Sequence, residues 1–414
     1  MDLLDFGYLA VASCAGAVAR SCLPILPEGW RMRLSAQAPE DLPAGRWVWV
    51  HAVSVGELLL AEGLLGRLAA RGLRVHVSTG TPAGLDLLMR KLPLWDQGRG
   101  LISGGGFPLD DDEGLRSFFR RPPGAFLALE TELWPGLLRA LEQRGIPRLV
   151  VNGRLTDRSL KRGGRLLRRA ASRLSLVATR DEESLTAFLR LGAPRVQLGG
   201  NLKADLPPPR PLPTCWGALR SGWSPFPVLV AGNTVEGEEP AILDAWRAAQ
   251  AKNPGLRLIL APRQPRRFEA VAELLLGGGI PFHRASQPWP EGAEWNHFQV
   301  LLLDTLGDLA GAYAEGTVAL VGGGWAATGG HNPLEPVRAG VPTLLGPGYL
   351  NFEDLVPPLA EAGLLRVVSL AELEAGLALT LAQAPLRPIQ PGALPAALTG
   401  ALERTMNLIT PYLP

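Results

Sequence analysis

Trp47-Val48-Trp49-Val50, then the turn Ser54-Val55-Gly56-Glu57, the helical run Leu58–Ala70 and the apolar triplet Val75-His76-Val77 decide the fold class of this chain. An apolar run without polar alternation reads as a strand buried on both faces. Strand, turn, helix and second buried strand form the repeating unit of a parallel sheet. The same grammar returns later. Val228-Leu229-Val230 leads into Gly232-Asn233-Thr234, a helix runs to about Ala251, and Leu258-Ile259-Leu260 follows.

Between the two copies lies Asp205-Leu206-Pro207-Pro208-Pro209-Arg210-Pro211-Leu212-Pro213. Proline at this density continues neither a helix nor a central strand, so it marks a linker. The expected architecture is α/β: two Rossmann-like, doubly wound domains facing one another across a cleft. A length of 414 residues suits two such domains. Residues 1–30 form an N-terminal membrane-associating segment, 31–205 the first domain, 206–226 the linker, 227–393 the second domain and 394–414 a C-terminal helix and tail. Ala285–Asn296 reads as a polar, Trp- and Pro-containing loop, and Leu394–Leu408 has helical periodicity.

The 41 basic residues nearly cancel the 39 acidic ones, which argues against a general nucleic-acid binder but leaves room for a local basic patch. One such stretch exists: Arg154, Arg158, Lys161, Arg162, Arg165, Arg168, Arg169 and Arg173, opposed only by Asp157. It reads either as a solvated helix face or as a contact for an anionic lipid surface or phosphorylated acceptor. Cys14, Cys22 and Cys215 form no CxxC or Cys/His cluster, which favours a reducing compartment and leaves no structural zinc motif. From Phe6 to Ala19 the N-terminus is uncharged, too short for a spanning helix, and Asp2 and Asp5 stand where a secretory signal would be basic. The segment is therefore a surface-lying anchor or a helix packed on the protein. Arg20, Arg31 and Arg33 follow it, as suits a cytoplasmic membrane face.

The densest motif is Val318-Ala319-Leu320-Val321 followed by Gly322-Gly323-Gly324 and then Gly329-Gly330-His331-Asn332-Pro333-Leu334-Glu335. A capping box with Asn332 as N-cap and Pro333 as first helical residue accounts for Asn332 and Glu335. It leaves the glycines and His331 unexplained, and a nucleotide phosphate held by backbone N–H groups at the helix start explains those better. Arg263, just beyond Leu258–Leu260 and Pro262, stands where open α/β sheets bind ligands and offers a bidentate clamp. In the first domain, Glu57 follows one strand, and Glu130 and Glu132 follow the apolar run Phe126–Leu129. Such carboxylates converge at strand ends, where one can take a proton from an acceptor hydroxyl. For Glu57, stabilisation of a helix N-terminus is the competing account.

Taken in order, Ser54-Val55-Gly56-Glu57, Thr81-Pro82-Ala83-Gly84, Glu130-Thr131-Glu132-Leu133-Trp134-Pro135, Asn152-Gly153-Arg154-Leu155 and Gly200-Asn201-Leu202-Lys203 resemble one family. Pro262-Arg263, Gly329 through Pro336, Gly346-Pro347 and Asn351-Phe352 continue the match. The family is the 3-deoxy-D-manno-octulosonic acid (Kdo) transferases of lipopolysaccharide assembly, and the resemblance runs from about Trp47 to the end.

It implies a GT-B fold and inverting transfer of Kdo from the co-substrate CMP-Kdo to a lipid A precursor. The implied place is the cytoplasmic face of the inner membrane, with no cofactor and no metal. By the same analogy Glu57 is the base, and Glu130 and Lys203 steady the transition state. CMP contacts fall to Pro262 and Arg263, to Leu306, Gly307 and Asp308, and to Gly329, Gly330, His331, Asn332, Pro333, Leu334 and Glu335. Departures from the family pattern are Asn233-Thr234-Val235 for Ser-Thr-His, Gln264 for a histidine, and Leu306-Gly307-Asp308 for Met-Gly-Glu. The alternatives are a nucleotide-sugar epimerase of the same architecture and a non-catalytic lipid-surface protein.

Overall fold

The first strand, β1 (Trp47–His51), is buried along its whole length, and its alternate residues feed two different cores. Val48 and Val50 pack with Leu58, Leu64 and Leu68, while Trp47 and Trp49 pack with Phe107, Phe118 and Phe126. A sheet covered on both faces needs apolar residues at every position, hence the unbroken run. The helix after β1, Val55–Ala70, is capped by Ser54, whose Oγ accepts from the Glu57 N–H at 3.4 Å.

The computed structural model describes residues 3–155, 164–205, 215–326, 328–384, 394–395 and 398–414. They divide into two units: Met1–Pro207 with Thr399–Pro414, and Pro208–Leu398. In the first unit β1 is followed by β2 (Arg74–Thr79), β3 (Ile102–Gly106), β4 (Ala125–Leu129), β5 (Arg148–Gly153), β6 (Leu176–Thr179) and β7 (Val196–Leu198). They form one parallel sheet in the order β3-β2-β1-β4-β5-β6-β7. The second unit repeats the plan with β8 (Val228–Thr234), β9 (Arg257–Pro262), β10 (Phe282–Arg284), β11 (Val300–Leu302), β12 (Val318–Val321), β13 (Thr343–Leu345) and β14 (Leu365–Val367). Its order is β10-β11-β9-β8-β12-β13-β14, again parallel. In each sheet the chain reverses its direction of travel once, between β1 and β4 and between β8 and β12. Ligands of open α/β sheets bind at the carboxyl ends of such switch-point strands.

The terminal segments belong to the first unit. Helix Leu3–Ser21 docks through its polar residues. Asp5 pairs with the buried Arg173, the Tyr8 hydroxyl donates to Asp110 at 2.7 Å, and Arg20 reaches Asp111 at 2.8 Å and Glu113 at 3.0 Å. Its other face carries Phe6, Val11 and Val18, each more than half exposed. The helix is thus packed on the protein through its polar face with its apolar face exposed, and no helix among the described residues is long and apolar enough to cross a membrane.

At the other end the helix spans Ala401–Ile409 and not Leu394–Leu408, because Pro395 and the left-handed Gly400 (φ 72°) stand before it. Ala401, Met406 and Ile409 join the core of Val48 and Val50, and the Asp205 carboxylate accepts from the Gly400 and Leu402 N–H groups.

Two further expectations need correction. The segment expected as linker contains a helix, Trp216–Trp223, whereas residues 206–214 lie outside the described set. The Trp-containing loop winds into a helical turn, Gly292–His297, because Trp295 is fully buried against Trp223 and Trp289.

Candidate active site

At the first switch point the turn after β1 carries Glu57 and the turn after β4 carries Glu130 and Glu132. Glu57 folds back over the start of its own helix: its Oε2 accepts from the Val53 N–H at 2.7 Å and its Oε1 from the Ser54 hydroxyl at 3.1 Å. Both bonds favour the carboxylate. Burial nevertheless outweighs them and pushes the pKa up to about 7, with Glu130 raising it further and Lys203 lowering it. The capping account and the catalytic account of Glu57 are thus compatible. Its bonds to Val53 and Ser54 orient the carboxyl, and burial brings its pKa near neutrality, the range a general base needs.

Glu130 sits at φ 55°, in the left-handed region that a side chain with Cβ avoids. Strain of about 1 kcal/mol or more at such a position is tolerated when the surroundings impose it, and it clusters at functional sites. Glu132 is also pushed up to about 7, by burial first and the Glu57 charge second. Its Oε2 accepts from Trp134 Nε1 at 2.8 Å and lies 3.9 Å from His51 Nε2. Burial holds His51 down at about 3, so the ring is neutral and this is not an ion pair. Its Nδ1 is bonded to Ser78, and its Nε2 has no hydrogen-bond partner among the described residues.

Lys203 stands on the helical turn Leu202–Asp205, which Asn152 holds by accepting from the Leu202 N–H at 2.9 Å. Asn152 is itself left-handed, at φ 53°. The three residues expected to be catalytic therefore come together. Glu132, expected among the converging carboxylates, joins them, and so do His51, Trp134 and Asn152, which were not singled out for the site.

At the second switch point the N–H groups of the turn directly after β12 have a partner within the protein, separate from the helix start at Leu334 where a phosphate is expected. Glu238, 2% exposed, accepts from the N–H of Gly323 (2.8 Å), Trp325 (3.0 Å), Ala326 (3.2 Å) and Val235 (3.2 Å). The protein's own carboxylate fills the anion nest. The glycines also have a packing reason: a Cβ on Gly324 would lie 2.9 Å from backbone atoms of Gly346, and one on Gly322 would lie 2.5 Å from the Asn233 carbonyl. In sequence, Glu238 is masked within Gly237-Glu238-Glu239, which reads as an ordinary acidic helix start.

The helix after the turn is short, Leu334–Arg338, with Pro333 at the cap position. Asn332 still accepts from the Leu334 N–H at 3.1 Å, and its amide faces Glu335 at 3.4 Å. Arg263, exposed just past β9, has no hydrogen-bond partner for its guanidinium among the described residues. Its charge is felt by two neighbours. Burial and Arg263 hold His331 down at about 4; burial raises Glu335, and Arg263 opposes that rise. His331 Nε2 and the Tyr313 hydroxyl are buried without hydrogen-bond partners among the described residues.

Pro262, Arg263 and the run Gly329–Glu335 thus form one cluster with an available cation and unsatisfied polar atoms. The Leu306-Gly307-Asp308 turn follows β11. Leu306 is 75% exposed there, and Asp308 accepts from the Thr305 hydroxyl at 2.6 Å. No hydrogen bond or ion pair among the described residues links that turn to Arg263.

Two doubly wound units of this kind, one gathering carboxylates and the other a cation at its switch point, are the GT-B class of glycosyltransferase. Residues 28–206 match the family profile described as 3-deoxy-D-manno-octulosonic-acid transferase. The Bordetella pertussis 3-deoxy-D-manno-octulosonic acid transferase is 34% identical over 92% of this chain and 90% of its own. The Haemophilus influenzae enzyme of the same name is also 34% identical, over 90% and 88%. The chain belongs to the 3-deoxy-D-manno-octulosonic acid transferase family. Among solved structures, UDP-GlcNAc 2-epimerase from Methanocaldococcus jannaschii covers 88% of this chain and 99% of its own with a TM-score of 0.56. At 10% identity that likeness is one of fold alone, so the epimerase alternative loses to the family match.

Proposed function

We propose that this protein transfers Kdo, with inversion, from CMP-Kdo to a hydroxyl of a lipid A precursor. The observation that carries the mechanism is the Glu57 carboxyl, fixed by its bonds to Val53 and Ser54 at a switch-point strand end and raised to about 7. As the acceptor oxygen forms its bond to the anomeric carbon, the bond from that carbon to the CMP phosphate breaks. The hydroxyl proton passes to Glu57. Positive charge growing on the sugar faces the carboxylate of Glu130, and Lys203 balances the negative charge of the Kdo carboxylate. Arg263, exposed and unpartnered by hydrogen bonds among the described residues, takes the departing phosphate, with Asn332 and Glu335 available to the ribose and base. No step is routed through a metal.

The membrane reading is part of the same proposal. The apolar face of helix Leu3–Ser21 lines a groove with Ile25, Leu26 and Trp30, which suits an interfacial helix on the cytoplasmic side of the inner membrane. Arg165, Arg168, Arg169 and Arg190 line a cavity of about 450 Å³, on the same unit as that helix, that fits anionic headgroups. Arg158, Lys161 and Arg162 of the basic stretch lie outside the described residues.

The test is direct. Purified protein, CMP-Kdo generated in situ, tetraacyl lipid A and a metal chelator are combined, and products are identified by mass. Acceptor carrying added Kdo is expected. Free Kdo with unmodified acceptor, or transfer only after metal is restored, would contradict the proposal.

A further inference from the structure

The helix that the membrane reading treats as an anchor is also bolted to the turn that carries Glu132. Tyr8 projects from helix Leu3–Ser21 to Asp110, a carboxylate 6% exposed at the end of the segment after β3. Asp110 spends its remaining capacity on the start of helix Pro135–Glu142. Its Oδ2 accepts from the Gly136 N–H at 2.9 Å and its Oδ1 from the Leu137 N–H at 2.6 Å. The fit is close, since a Cβ on Gly136 would lie 2.7 Å from the Asp110 carbonyl oxygen.

This helix begins immediately after Trp134, whose ring N–H holds Glu132 at 2.8 Å. Arg33 closes the arrangement from the side. Its guanidinium lies 4.6 Å from the Trp134 ring and 5.5 Å from Phe107, and donates to the Pro108 carbonyl at 3.1 Å. A continuous set of contacts therefore runs Tyr8, Asp110, the helix start, Trp134, Glu132.

We infer that Tyr8 and Asp110 are positioning residues, and that the Tyr8–Asp110 contact made by the N-terminal helix sets the Glu132–Trp134 turn of the acceptor site. Asp110 caps a helix from outside it, and the Tyr8 hydroxyl is one of the three hydrogen-bond donors its carboxylate has among the described residues. Without that donor the carboxylate has less reason to ionise in its buried position, where burial already pushes it up to about 6. A less ionised Asp110 holds the Gly136 and Leu137 amides less firmly. The turn that presents Trp134 to Glu132 then loosens. The kinetic consequence rests on the Kdo-transfer reading; the structural one does not.

The experiment compares Tyr8→Phe with Arg20→Met, which breaks another attachment of the same helix, to Asp111 and Glu113, that does not lead to Glu132. Acceptor is dispersed in detergent so that surface attachment is not needed. Tyr8→Phe should lower kcat about threefold to tenfold, the scale of one hydrogen bond, with KM for the donor unchanged. Arg20→Met should keep kcat. Hydrogen exchange of the peptide spanning residues 130–138 should quicken in Tyr8→Phe and not in Arg20→Met. Wild-type exchange there in Tyr8→Phe, or parallel loss in both variants, would overturn the inference. A wild-type protein that transfers no Kdo would instead overturn the functional reading, and the exchange arm would still decide this one.

Discussion

Glu57, Glu132 and Asp110 are carboxyls that folding makes harder to ionise, the first two to about 7 and the third to about 6. A carboxyl with a raised pKa binds more protons folded than unfolded between its two values, so its contribution to stability falls as pH rises through that window. For Glu132 the window runs from its ordinary 4.5 to about 7. Glu132→Gln cannot ionise and keeps an oxygen for the Trp134 N–H. Denaturant midpoints should therefore show the variant gaining on wild type as pH rises from 4.5 to 7; a constant gap would contradict the assigned shift.

Arg263 supplies a second prediction at this scale. Arg263→Ala should weaken CMP binding by about 1.5–3 kcal/mol, the worth of a hydrogen bond to a charged group, as read by calorimetry. Unchanged CMP affinity would move the phosphate elsewhere. Sequence alone drew attention to Glu57, Glu130 and Arg263, because each follows an apolar strand run. It did not expose Glu238, since a helix-start glutamate looks the same whether it faces solvent or fills a nest on another strand's turn.

Among the elements, strands were the most legible, because burial on both faces forces unbroken apolar runs such as Trp47–Val50 and Val318–Val321. Their lateral order was not legible. That β1 neighbours β4 follows from a long crossover that leaves no mark on either strand, yet this adjacency alone brings Glu57 to Glu132. The N-terminal helix shows a similar gap: its apolar length was visible, but the partners of Asp5 and Tyr8 lie far along the chain.

Those partners carry a prediction. Asp5→Ala strips Arg173, 3% exposed, of its buried partner and, among the described residues, leaves it the half-exposed Glu142. The loss should be about 3 kcal/mol in chemical unfolding, typical of a buried pair broken from one side. A loss below about 0.5 kcal/mol would place the pair in the class of surface ion pairs. Deleting residues 1–20 should reduce partition onto anionic vesicles and, through the same lost contacts, lower stability. Full vesicle binding by the truncated protein would exclude the helix as an anchor.

For the whole molecule, two repeats of one strand–helix grammar were enough to give the fold class, and the order of short motifs was enough to give the family. The return of the C-terminal helix to the first unit was not readable, because Ala401, Met406 and Ile409 carry a generic amphipathic pattern that does not name the surface it covers. The account as a whole turns on one claim: Glu57 of the first unit is the base that takes the proton of the acceptor hydroxyl. Replacing Glu57 by Gln preserves the side chain's shape and an oxygen for the Val53 N–H, with its amide NH2 facing the Ser54 hydroxyl, while abolishing its basicity. Single-turnover transfer of Kdo to tetraacyl lipid A by Glu57→Gln should fall by about 10²–10⁴-fold, the range of a general base, while CMP affinity stays at the wild-type value. Near-normal transfer by that variant would contradict the account and shift the base role to Glu130 or Glu132.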